Sequence, residues 1–214
     1  MSEDVLPKES GRLERLSPEV KLAVSLIPFL GPAFTKYIDD VVERRRKKLR
    51  TIEKEFTQAS GEDIAALFER STADPRFGDL LTQTIDEAQR TASERKLRAL
   101  GRLLALGFDD DEPEHLDEIE LMFLAVADLE SAHIRVLDLL VRRGTRHGGV
   151  GDYQIASLFP NGTTVAYPIL KTLERHGMAG PQSPPSADPD QVIKWVPWDF
   201  GIYVHQKLLA EGTS

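Results

Sequence analysis

Cysteine is absent from the 214-residue chain, which excludes disulfides, thiolate metal sites and a cysteine nucleophile and fits a reducing compartment. Basic charge is in deficit: 27 Lys and Arg face 35 Asp and Glu, for a formal net charge of −8. The overall basicity usual in nucleic-acid binders is therefore missing. Long apolar runs are missing too. Leu22 to Thr35 is uncharged over 14 residues, short of the ~20 that span a bilayer, and Pro28, Gly31 and Pro32 interrupt it.

Catalytic and cofactor motifs are equally absent. The chain has no Gly-x-x-x-x-Gly-Lys-Ser/Thr loop, no Gly-x-Gly-x-x-Gly turn, no Gly-x-Ser-x-Gly elbow and no His-Glu-x-x-His pair. His115, His133, His147, His176 and His205 lack metal-pair spacing, and packed or surface positions are expected for His133 and His176. The acidic run Asp109 to Glu112 has neither the alternation nor the glycine of a calcium loop. No enzyme activity, cofactor or metal is expected.

What is present fits two domains, with an apolar share of 41% to build cores. The opening MSEDVLPKES has no basic and apolar secretory pattern, and a cytoplasmic location is expected. Residues 1–16 read as a flexible N-terminus and 17–127 as a helical bundle of four to six helices. Ser17-Pro18 starts a helix that Pro28 ends, and Gly31-Pro32 restarts one reaching about Ala59. Further helices follow at Glu62 to Glu69, after Asp74-Pro75, and after the capping Ser93. Leu116, Ile119, Leu121, Met122, Leu124 and Val126 continue the pattern beyond the Asp109 to Pro113 turn.

The apolar stretch Leu22 to Thr35 precedes Arg44, Arg45, Arg46, Lys47, Lys48 and Arg50, an arrangement that can mean an anionic membrane. Asp40 and Glu43 stand four residues before Arg44 and Lys47, the pattern of a solvated helix. Core burial of Leu26, Ile27, Phe29, Leu30 and Phe34 is therefore the expectation, with membrane association the lesser alternative. With its LIPFLGPAF and SERKLRALGRLLALGF segments, this half resembles a set of uncharacterised bacterial helical proteins with an LIP-x-x-G start, which brings no activity with it.

Residues 128–214 carry the clearest organisation. Ile134, Leu137, Leu140 and Val141 recur at helical spacing between Ser131, a candidate cap, and Gly144. Tyr153, Ile155, Ala156 and Phe159 make a short second helix opened by Asp152. Thr163 and Thr164 are candidate caps of a third, with Ala166, Leu170 and Leu173 on one face and Gly177 at its end. Met178 and Val192 to Val196 read as hairpin strands. Trp198 to Leu209 reads as a closing helix that turns Phe200, Tyr203, Val204 and Leu208 inward.

In this order the elements resemble bacterial winged helix-turn-helix regulators. The fold class is thus mainly α, a helical bundle followed by a winged-helix domain with a small β hairpin. The resemblance implies a DNA-binding transcriptional regulator whose bundle senses a ligand or forms a homodimer. Thr163, Thr164, Tyr167 and Lys171 would then face the groove, with Arg142, Arg143, Arg146 and Arg175 on phosphates. The charge is thin for that role: residues 127–214 are net −1 and the wing tip holds Asp188 and Asp190 but no base. The alternative is an adaptor whose winged helix docks a protein partner.

Overall fold

The computed structural model of the protein describes residues 31–109, 113–144, 148–183 and 192–210, with the side chains of 31–38, 113 and 114 set aside. The helix expected from Ser17, the burial expected of Leu26, Ile27, Phe29, Leu30 and Phe34, Arg146 and residues 184–191 of the expected wing tip lie outside the described residues. The chain divides into two compact units, Met1–Arg46 and Lys47–Ser214.

Helix α1, Gly31–Ser60, begins in the first unit. There Arg44 Nε donates to the Asp40 carbonyl at 3.1 Å and Arg46 lies 4.0 Å from Glu43. Both are short-range contacts of an exposed, charged helix surface.

In the second unit the rest of α1 is followed by α2 (Ile64–Ala73), α3 (Pro75–Arg90), α4 (Glu94–Phe108) and α5 (Pro113–Ala127). Short polar side chains start three of them. The Asp63 carboxylate accepts from the Ala66 amide at 2.9 Å. Asp74 accepts from the Arg76 amide at 3.0 Å and precedes Pro75, whose ring suits a first helical position. Ser93 accepts from the Lys96 amide at 3.4 Å. Leu97, Leu100, Leu103 and Leu104 of α4 are buried against Leu116, Ile119, Met122 and Val126 of α5 and the apolar faces of α1 and α3. Leu121 and Leu124 depart from the expected pattern: they are 63% and 55% exposed.

Next come α6 (Ser131–Leu139), running on into a π turn (Leu140–Gly144), strand β1 (Val150–Gly151), α7 (Asp152–Ala156), α8 (Thr163–Arg175), β2 (Ala179–Pro181), β3 (Lys194–Pro197) and α9 (Asp199–Val204), which ends in a second π turn (His205–Leu209). The three strands form an antiparallel sheet in the order β1-β3-β2, with Val150 opposite Trp195 and Gly180 opposite Val196. A two-stranded hairpin was the expectation; β1 adds a third, edge strand too short to leave a sequence period. Gly201 lets α9 cross the chain closely, since a Cβ there would stand 2.0 Å from the Met178 carbonyl oxygen. Val204 and Leu208 are buried as expected, whereas Tyr203 is 40% exposed because its position on α9 turns away from that crossing.

One continuous core runs from Ile52 to Leu209. Residue 127 thus marks a change of architecture inside one compact unit rather than a gap in packing. Two cations of α4, Arg95 and Arg102, bind across it, and a third, Lys96, reaches its edge. Lys96, 1% exposed, pairs with Glu87 of α3 at 2.7 Å and donates to the Ala127 carbonyl at the end of α5. Arg95 grips Asp138 of α6 with two bonds of 2.6 and 2.9 Å and reaches the Leu209 carbonyl at 2.9 Å. Arg102 holds Glu55 at 3.0 Å and donates to the Leu208 and Ala210 carbonyls at 2.9 and 2.8 Å. The carbonyls at the end of the chain's last helix, negative by their aligned dipoles, thus meet guanidinium groups.

Asp138 also meets His205 Nε2 at 2.6 Å, while Nδ1 of that ring is buried without a partner. Burial alone would push the Asp138 carboxyl up, but bonds from Arg95 and His205 overturn this and hold it well below the usual carboxylate range.

Candidate nucleic-acid interface

Helix α8 is positioned from its buried side. Ala166, Ile169, Leu170 and Leu173 are all 5% exposed or less, and the helix packs on α6, α7 and β2. The residues between them, Thr163, Thr164, Tyr167, Pro168, Lys171 and Arg175, form a single exposed row. Five of the eight residues expected to contact nucleic acid are therefore brought together on one surface.

The way α8 begins corrects the expected capping. Gly162, at φ +53 and ψ −130, is the N-cap, and the helix has no side-chain cap bond. A positive φ of this kind suits glycine, so the turn places Thr163 and Thr164 inside the first turn, where their exposed hydroxyls do not serve as caps. Likewise Glu130, not Ser131, is the N-cap of α6: its amide donates to His133 Nδ1 at 2.9 Å. His133 is thus a capping residue. Burial pushes its pKa below the ordinary value, with Glu130 and Asp128 opposing.

The electrostatics of the row are specific. Lys171 Nζ lies 2.6 Å from Glu174 and 5.6 Å from the centre of the Tyr167 ring. The Glu174 bond raises its pKa above the ordinary value. Arg175 Nη2 lies 2.8 Å from Asp128, which also meets His176 Nε2 at 2.8 Å. Both cations of the row therefore already have carboxylate partners. Glu174 is legible three residues after Lys171. Asp128 is 47 residues from Arg175, and no sequence pattern joins them.

Arg142 and Arg143 lie elsewhere, exposed on the π turn after α6 that packs on β3 and β1. Neither makes an ion pair among the described residues. The second-helix residues Ile155 and Ala156 are buried, whereas Tyr153 is 62% exposed, so α7 and α8 present Tyr153 and Tyr167, itself 61% exposed.

Among the described residues no group of three His, Asp or Glu could hold a metal, and no helix is long and apolar enough to cross a membrane. A cleft of about 250 Å³ lined by Glu55, Gln58, Arg102, Asp109 and Lys207 is smaller than the ~300–1,000 Å³ of small-molecule sites. Compared with family models, curated proteins and solved structures, the chain matches none of them.

Proposed function

We propose that the protein is a winged-helix regulator that binds duplex DNA through the exposed row of α8, with hairpin β2–β3 as the wing. The element order α6, β1, α7, α8, β2, β3 supports the winged-helix reading. The observation that carries the DNA reading is the row itself: two threonine hydroxyls, a tyrosine and a lysine on the outward side of the third helix, at spacings that suit one groove. Arg142 and Arg143, exposed on the π turn that packs on β3 and β1, supply phosphate contacts. The ion pairs on Lys171 and Arg175 do not exclude this role, because exposed pairs are worth only about 0–1 kcal/mol and so weaken phosphate contacts without abolishing binding. In this reading the bundle senses a ligand or holds a second copy, and the protein acts in transcription regulation in the cytoplasm.

The test is fluorescence anisotropy with a library of genomic duplexes at low salt. Saturable binding that weakens with Lys171→Ala and with the double change Arg142→Ala and Arg143→Ala, each lost phosphate contact flattening the salt slope by about one unit, supports the reading.

A protein-docking adaptor is the second reading, favoured by the carboxylates that already neutralise Lys171 and Arg175 and by the exposed Tyr153 and Tyr167. Aromatic side chains with paired charges suit a protein surface. Absence of saturable DNA binding in the same titration would favour it.

A further inference from the structure

The two carboxylates on the α8 row are placed differently. Glu174 belongs to α8 and accompanies Lys171 wherever the helix goes. Asp128 belongs to the connection between α5 and α6, and its Oδ2 is shared between Arg175 Nη2 and His176 Nε2, each at 2.8 Å. Its neighbours in sequence are anchored: the Ala127 carbonyl accepts from buried Lys96, and Leu129 is fully buried. Asp128 is thus a fixed anion at the end of α8, and Arg175, 65% exposed in its side chain, is the one cation of the row held by another element.

We infer that Asp128 is an acidic clamp that withholds Arg175 from the DNA backbone and so sets the affinity of the α8 surface; the inference rests on the DNA reading above. A phosphate approaching Arg175 meets the Asp128 carboxylate at close range, so like-charge repulsion adds to the loss of the existing pair. Wild type therefore binds with Arg175 largely held on Asp128, and a phosphate contact forms only when Arg175 swings off and leaves the carboxylate to His176. Removing the acid relieves both the repulsion and the competition. Because the groups are exposed, the gain is modest in affinity but distinct in salt dependence, since one more cation reaches phosphate.

The experiment uses the full chain, a mixed-sequence 40-base-pair duplex as probe, and anisotropy titrations over a series of NaCl concentrations. Wild type, Asp128→Asn, Arg175→Ala and the double variant are compared, with thermal unfolding of each to confirm the fold. Asp128→Asn should tighten binding about two- to fivefold at low salt and steepen the log–log salt slope by about one unit. In the Arg175→Ala background the same change should lose the steeper slope. If wild type binds and Asp128→Asn leaves affinity and slope unchanged, or weakens binding while still folded, the clamp is overturned and the DNA reading stands. If folded wild type and folded Asp128→Asn both fail to bind, the DNA reading falls and the clamp with it.

Discussion

Replacing Lys96 with Met should destabilise the second unit by about 3 kcal/mol. The Lys96 ammonium is 1% exposed and Glu87, its partner at 2.7 Å, is 14% exposed in its side chain. Removing one member of a buried pair leaves the other charge desolvated without compensation, at a cost of roughly 3–5 kcal/mol. The residual access of Glu87 to water places this site at the low end of that range. Methionine keeps most of the aliphatic stem, so little of the loss comes from packing, and the Ala127 carbonyl loses a charged donor as well. For a unit of this size about 2–4 °C accompanies each kcal/mol, giving a fall in melting temperature of roughly 6–12 °C. The double change Lys96→Met with Glu87→Leu removes both charges and should return to within about 1 kcal/mol of wild type. Urea unfolding followed by circular dichroism measures all three. A single variant that loses less than about 1 kcal/mol, or a double variant no more stable than the single, would refute the assignment of a desolvated, mutually dependent pair.

Gly201→Ala should cost roughly 2–3 kcal/mol or prevent folding, because the new methyl meets the Met178 carbonyl at 2.0 Å, and overpacking against backbone is relieved only by moving α9; thermal unfolding checks it. Stability should decline as pH falls below about 6.5, the ordinary histidine value from which His133 is lowered. The folded state favours neutral His133, so its contribution is full above that pH and is lost as the folded-state pKa is approached. In His133→Gln this part of the decline should disappear, as urea midpoints at pH 7.5 and 5 would show; an identical decline in both proteins would exclude His133 as its source. Asp138, lowered from 3.8, contributes above that value and loses its contribution only as pH falls below it. Arg102→Ala should expose the end of α9 to amide exchange by freeing the Leu208 and Ala210 carbonyls; unchanged protection at Leu208, Leu209 and Ala210 would mean that packing alone holds the helix.

Helix starts were legible wherever the signal was local. Asp74-Pro75 and Ser93 both cap as their positions suggest, and the α8 face of Ala166, Leu170 and Leu173 is the buried one. Local signals failed where a neighbouring residue competed for the same role. Gly162 displaced the two threonines because only its positive φ closes the turn, and Glu130 displaced Ser131 because His133 reaches back to its amide. Leu121, Leu124 and Tyr203 show the limit of hydrophobic periodicity, which marks a stripe without saying whether anything covers it. Long-range pairing was beyond the sequence altogether. Nothing local makes Lys96 a core residue, turns Arg95 and Arg102 toward the last carbonyls of α9, or joins Asp128 to Arg175. The candidate surface was therefore readable as a row of residues on one helix, but its charge state was not.

The central claim is that the outward row of α8 is the DNA-contacting surface, and nuclear magnetic resonance during a duplex titration tests it residue by residue. Amide shifts at low salt should cluster at Thr163, Thr164, Tyr167, Lys171 and Arg175, with a second group at Arg142 and Arg143, and should recede as NaCl is raised. Shifts confined to other faces of the second unit, or no shifts at all with folded protein and duplex in excess, would contradict the account.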